Sequence, residues 1–171
     1  MTTHNPTKID AVPGRQEILI TREINAPREQ VFKAFTDPKL YTQWIGPREL
    51  KTTLITFEPK SGGKFRYIQK DKNGHQFAFH GVYHEVKSPE MIIETFEYEG
   101  LPEKGHAALG KVHFESLPGN RTKITEREVF LSVEDRDGML QADMAKGVNE
   151  SYERLEELMD GVTKQSAKKE R

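Results

Sequence analysis

Between Leu50 and Phe130 the chain alternates apolar and polar residues almost without interruption, and turn-forming residues break the alternation at regular intervals. A period of two marks half-buried strands, because successive side chains on a strand point to opposite faces. Six segments carry it: LKTTLITFE, GKFRYIQK, HQFAFHGVYHEV, MIIETFEYE, ALGKVHFESL and TKITEREVF. Their separators are Ser61-Gly62-Gly63, Asp71-Lys72-Asn73-Gly74, Lys87-Ser88-Pro89, Gly100 to Gly105, and Pro118-Gly119-Asn120. Connections this short join antiparallel neighbours, whereas parallel strands need crossovers of about a dozen residues or more. The six segments therefore read as an antiparallel meander.

Upstream, EILITREI supplies a seventh strand, with Ile18, Ile20 and Ile24 on one face and Arg22 in phase among them. Asn25-Ala26-Pro27 then opens a helix, since proline suits the first helical position and Glu29 stands in the first turn. Val31, Ala34 and Phe35 form its apolar stripe. Asp37-Pro38 begins a second short helix carrying Leu40 and Trp44, and Gly46-Pro47 stops it. After the strands, Ser132-Val133-Glu134-Asp135 resembles a capping box, followed by a short helix through Leu140. A long helix runs from about Ala142 to Asp160, with Met144, Val148, Tyr152, Leu155 and Met159 on a narrow stripe. It is the one element long enough to cover the apolar face of the sheet. The predicted class is α+β: a curved seven-stranded antiparallel sheet wrapped around a long C-terminal helix, with two short helices after the first strand. Residues 1–14 read as a disordered N-terminal tail, 15–162 as a single domain, and 163–171 as a disordered basic C-terminal tail.

With 171 residues the chain has room for one domain of ordinary size. Its 26 basic and 27 acidic side chains nearly cancel, so there is no global attraction to nucleic acid or to an anionic membrane. No stretch approaches the roughly 20 apolar residues of a membrane span. The start MTTHNPTKID is too polar for a signal peptide, and a cytoplasmic location is expected. The absence of cysteine removes disulfides, thiol nucleophiles and cysteine-based metal sites. His80 and His84 have helical zinc spacing, but on a strand they stand roughly 13 Å apart. His75, His106 and His113 stand singly, and Gly62-Gly63 precedes a strand where a phosphate cradle would precede a helix. No metal and no cofactor are expected.

The segments ITREINAP, VFKAFTDPKLYTQWIGP, GGKFRY, HGVYHEV and GVNESYERLEEL lie within about residues 18–160. Together they resemble the START-like (SRPBCC) superfamily, and most closely its branch of heat-shock ATPase-activator homologues, the AHSA type. Two positions depart from the branch pattern: Ile45 stands where a second tryptophan is usual, and Lys60-Ser61 where Arg-Pro is frequent. The resemblance implies a helix-grip fold, in which the sheet bends away from the helix and leaves a hydrophobic, lipid-binding-like pocket.

Polar residues stand in the inward phase. Glu94 lies between Ile92 and Phe96, Glu126 and Glu128 lie between Ile124 and Phe130, and Arg22 lies between Ile20 and Ile24. A buried charge must be paired or solvated. Either these groups line a partly wet cavity and orient the polar end of a ligand, or Arg22 pairs with one of the glutamates, or bulges turn them outward. Phe65 and Tyr67 on one strand, and Phe77, Phe79 and Tyr83 on the next, offer flat contact area, as does Trp44 near the expected pocket mouth. The same rings would serve equally as core. Val112 and Phe114 on the fifth strand of the meander, with Met144, Val148 and Tyr152 on the helix, complete the expected ligand-binding cavity. Gly81 marks a bend or bulge, and Gly147 either opens space over the cavity or admits a strand.

Three functions fit. The first is binding of a small hydrophobic or amphipathic molecule. The second, implied by the resemblance, is regulation of a heat-shock ATPase in the manner of a co-chaperone. Relatives with that role carry a separate N-terminal domain, for which the 16 residues before the first predicted strand leave no room. The third is an aromatase/cyclase-like or hydrolytic enzyme using Glu94, Glu126 and Glu128 as general acids or bases, with Arg22 steadying an anion. The expectation leans to a non-catalytic role, with no residue assigned to catalysis.

Overall fold

The computed structural model describes residues 5–170. The alternating segments become β3 (Lys51–Phe57), β4 (Lys64–Lys70), β5 (Gln76–Lys87), β6 (Met91–Tyr98), β7 (Ala108–Leu117) and β8 (Arg121–Phe130). They form the predicted meander, and β2 (Glu17–Ile24) returns to pair with β8 at its far edge. The sheet has eight strands, one more than predicted, in the order β1-β2-β8-β7-β6-β5-β4-β3 with every pairing antiparallel. The extra strand, β1 (Lys8–Asp10), falls in the segment read as a tail. Three residues are too few to show a period, yet Ile9 sits opposite Ile20 and packs against the core.

Two short helices, α1 (Arg28–Thr36) and α2 (Pro38–Trp44), carry the chain from β2 to β3 at the opposite edge. Asp37 separates them by accepting from the backbone N–H of Lys39 at 2.8 Å and of Leu40 at 3.2 Å, an N-cap for α2. After β8 come α3 (Val133–Gln141), capped by Ser132 Oγ on the Asp135 N–H at 3.0 Å, and α4 (Met144–Lys169). Helix α4 therefore continues through the residues read as a C-terminal tail, though from Thr163 to Glu170 they are exposed. Their lysine, alanine and glutamate side chains are good helix formers without an apolar stripe to announce a helix.

The core lies between the inward face of the sheet and the helices. Ile18, Ile20 and Ile24 of β2, Ile124 of β8 and Phe114 of β7 meet Val31, Phe32 and Ala34 of α1 and Tyr152, Leu155 and Met159 of α4. Arg22, 2% exposed, lies in the same face and donates to Glu156 Oε2 of α4 at 2.5 Å and to Thr7 Oγ1 at 3.0 Å. The turn after α2 is latched to α4 independently. Ser151 Oγ accepts from the Gly46 N–H at 2.8 Å, and Arg154 donates to the carbonyls of Gly46 and Gln43 at 2.9 Å each.

Bulges interrupt β3 between Leu54 and Thr56 and β5 between Tyr83 and Glu85. Gly81 lies just before the second, where an added methyl group would collide with the Thr95 carbonyl and the Phe65 ring. Gly147 meets neither open space over a cavity nor a strand: its missing methyl would touch Pro47 in the α2–β3 loop at an ordinary 3.7 Å. The two glycines therefore differ in kind. Gly81→Ala is expected to destabilise the fold by about 1–3 kcal/mol through overpacking. Gly147→Ala is expected to stabilise it by up to about 1 kcal/mol through helix propensity. Urea denaturation of the two variants measures both signs.

Candidate functional site

Strand register places the inward polar residues in rows. Tyr83 lies opposite Glu94, Glu94 opposite Gly110, Gly110 opposite Glu128, and Glu128 opposite Ile18. In the next row Ile92, Val112, Glu126 and Ile20 are neighbours. Neither β6 nor β8 contains a bulge, so the alternation holds and all three glutamates point inward. The side chains of Glu126 and Glu128 hydrogen-bond each other, which requires a shared proton. From α4, Tyr152 donates its hydroxyl hydrogen to Glu126 Oε2 at 3.0 Å.

A chain of aromatic rings continues from this polar group toward β3. Phe65 lies 5.4 Å from Tyr83, Phe79 stacks on Phe96 at 5.3 Å, and Tyr67 lies 5.2 Å from Phe79. The Tyr67 and Tyr41 rings lie 6.2 Å apart edge to face, and the Tyr41 ring stacks on Phe57 at 5.1 Å. Glu94, Glu126 and Glu128 are only half-buried, as are Phe79, Phe96, Leu54 and Phe57. Met139, Leu140, Met144 and Val148, at the α3–α4 junction, are half-buried as well. The other half of the same face is different: Ile18, Ile24, Phe114 and Leu155 are completely buried.

Burial governs the electrostatics. It raises the Glu94 carboxyl from 4.5 to about 8, with the charge of Glu126 adding to the effect. Glu128 is pushed well above its ordinary value by burial and then by Glu126. Glu126 is raised by burial, although its hydrogen bonds from Glu128 and Tyr152 pull the other way. Tyr41, Tyr67, Tyr83 and Tyr152 are all raised, burial again being the largest cause, and remain hydroxyls at neutral pH. A carboxyl that holds its proton near neutrality, as Glu94 does, is chemically able to donate a hydrogen bond, or to release that proton to solvent when a cation binds beside it.

The structure brings Tyr67, Tyr83, Phe79, Phe96, Glu94, Glu126, Glu128 and Tyr152 to one region, with Phe65 and Val112 buried beside them and Met144 and Val148 at the helix start. Four predicted residues lie elsewhere. Trp44 is 3% exposed, donates its indole N–H to the Ala34 carbonyl at 2.9 Å, and packs between Phe35 and Tyr152 as core. Phe114 packs edge-on against Phe32 and Phe35 beneath α1. Phe77 lies opposite Gln69 near the start of β5, outside the packed cluster. Arg22 pairs with Glu156, not with any of the three sheet glutamates. Two members were missed. Tyr41 precedes Trp44 by one helical turn, a spacing that could have revealed it. Gly110 was visible as a glycine inside a strand, which marks close approach or open space. Among the described residues, no group of three or more histidine, aspartate or glutamate side chains is placed to hold a metal ion. A depression of about 450 Å³ lies away from this region, lined by Glu49, Lys51, Thr53, Lys70, Asp71 and Lys72. It lacks aromatic walls.

An antiparallel sheet packed over one long C-terminal helix, with two short helices between its first long strand and the meander, is the helix-grip architecture of START-like proteins. Solved structures share it. A protein from Rhodobacter sphaeroides superposes with a TM-score of 0.82 at 22% identity, covering 91% of this chain and 99% of that one. One from Arthrobacter aurescens gives 0.82 at 23% identity, covering 90% and 91%. A Mycobacterium smegmatis protein gives 0.80 at 18% identity, covering 92% and 99%. The chain belongs to the AHSA1 family, described as Activator of Hsp90 ATPase homolog 1-like protein, whose profile matches residues 25–160. Among curated proteins none matches it. No helix among the described residues is long and apolar enough to cross a membrane.

The raised carboxyl of Glu94 gives stability a definite pH dependence. Its folded-state value, about 8, exceeds the ordinary 4.5, so between these limits the native state binds more protons than the unfolded chain. Stability contributed by this group therefore falls as pH rises through that window. Glu94→Gln is expected to match the wild type near pH 5 and to melt at a higher temperature near pH 9. Thermal unfolding from pH 5 to pH 9 checks this, and parallel melting curves for the two proteins would refute it.

Proposed function

We propose that the protein binds a small amphipathic molecule in a cavity between the inward face of the sheet and α4. The observation that carries this reading is a polar row, Tyr83–Glu94–Gly110–Glu128, built into the face that elsewhere forms a dry core. A domain that only needed stability would fill those positions with aliphatic side chains, because buried carboxyls without partners are costly. Half-buried rings and methionines beside a few convergent polar groups are the usual composition of a ligand pocket. At Gly110 an added methyl would meet the Glu94 carbonyl oxygen at 3.7 Å and Glu128 Cγ at 3.9 Å, ordinary contact distances, so packing does not require glycine there.

A ligand present at about 100 times its dissociation constant stabilises the native state by about 2.7 kcal/mol. For a domain of this size that is a rise of about 5–10 °C in melting temperature. Screening lipids, aromatic metabolites and the small molecules that copurify with the protein is expected to yield such a rise. Gly110→Val is expected to fold and to abolish it, since a β-branched residue suits the strand and its side chain would stand between Glu94 and Glu128. No stabilisation by any compound would overturn the reading.

The family match supports a second reading, co-chaperone-like regulation of a heat-shock ATPase. It predicts faster turnover of an Hsp90-type ATPase on addition of this protein. An unchanged rate removes it.

A further inference from the structure

We propose that the guest is an organic cation. Its ammonium head would lie over Gly110 between Glu94 and Glu128, and its apolar body against Phe79 and Phe96. This rests on the ligand-binding reading above and adds the sign of the ligand's charge.

Neighbouring strands stand about 4.8 Å apart, so Glu94 and Glu128, two strands apart in one row, flank Gly110 across about 10 Å of backbone. The glycine puts no side chain of its own between them, and a methyl there would stand at ordinary contact distance from both, 3.7 Å from the Glu94 carbonyl oxygen and 3.9 Å from Glu128 Cγ. Tyr83 adds an independent observation. It is 4% exposed and lies beside Glu94, yet its hydroxyl makes no hydrogen bond with any described residue. Its oxygen is therefore free to accept from a guest N–H.

No described residue supplies a counter-charge here. Arg22 is turned to Glu156, Arg154 to backbone carbonyls of the α2–β3 loop, and Arg48 to Glu157. The carboxyls are not convergent enough to form a metal-ion site, which favours a cation with its charge on an organic frame. Phe79 and Phe96, stacked on each other at 5.3 Å, offer apolar surface for the body of such a guest.

Binding would be coupled to protons. The groups facing Glu94 are Glu126 and Glu128 from β8, Tyr83 from β5, Tyr67 from β4 and Tyr41 from α2, with Tyr152 of α4 held on Glu126; none is a cation. A positive head beside Glu94 favours its ionised form, and the displaced proton passes to the buffer. Affinity for a cation should rise with pH, while affinity for a neutral analogue should not.

Isothermal titration with octylammonium, octanol and octanoate, at pH 6 and pH 8.5 in two buffers of different ionisation enthalpy, tests this. Octylammonium is expected to bind at least about 10-fold tighter than octanol at pH 8.5, with a smaller advantage and measurable proton release at pH 6. Glu94→Gln and, separately, Tyr83→Phe are expected to erase most of that advantage. Two variants keep the test decisive if either fails to fold. Octanol or octanoate binding as tightly as octylammonium would overturn the charge assignment and leave the ligand reading standing. If none of the three binds, the proposal also fails, whereas the ligand reading fails only if the wider screen is empty.

Discussion

The pair formed by Arg22 and Glu156 determines how the helix sits on the sheet. Both side chains are buried, and they meet at 2.5 Å across 134 residues of sequence. Losing one partner of such a pair leaves an uncompensated interior charge, at a cost of about 3–5 kcal/mol. The contact fixes the position of α4 against β2. Around it Leu155 and Met159 are completely covered, whereas Met144 and Val148, two to three turns earlier, stay half-buried. It also removes from the inward face the one arginine whose strand phase would let it neutralise Glu126. Tight closure at one end and unneutralised carboxyls at the other are thus two results of a single ion pair.

The second constraint is where the irregularities fall. One extra residue in a strand reverses the facing of everything beyond it. Both bulges are in β3 and β5, and the latter comes after Tyr83, so the rows containing Glu94, Glu126 and Glu128 keep their parity. Gly81 lets β5 approach its neighbours closely just before its bulge, and Gly110 puts no side chain between the two carboxyls of its row. Contact requires the first glycine, whereas a methyl at the second would meet its neighbours at ordinary distances.

Much of this was legible in the sequence, and the remainder was hidden for identifiable reasons. Alternation and turn residues located the meander, and phase along β6 and β8 identified the inward glutamates, because each depends only on neighbours in the chain. Strand β1 escaped notice since three residues carry no period, and the end of α4 since propensity without an apolar stripe is a weak signal. Phase reports the side of a sheet but not the depth beneath its cover. Phe114 and Trp44 were therefore assigned to a cavity wall although α1 and α2 seal them into the core. The partner of Arg22 was invisible for a further reason: it lies on a helix whose rotation and offset relative to β2 arise only from packing.

The fold alone does not identify a ligand. Relatives with TM-scores of 0.80–0.82 share only 18–23% of their residues with this chain, so the scaffold is preserved while most side chains change. Specificity must come from this chain's own inward residues. Here they hold three carboxyls, raised by burial and by one another, facing four tyrosine hydroxyls and no arginine or lysine among the groups that perturb Glu94. An anionic group placed there would push these proton affinities higher still, and a neutral one would leave them as they are. A positive group would lower them, at the cost of releasing a proton below about pH 8, so any preference for a cation must grow as the pH rises.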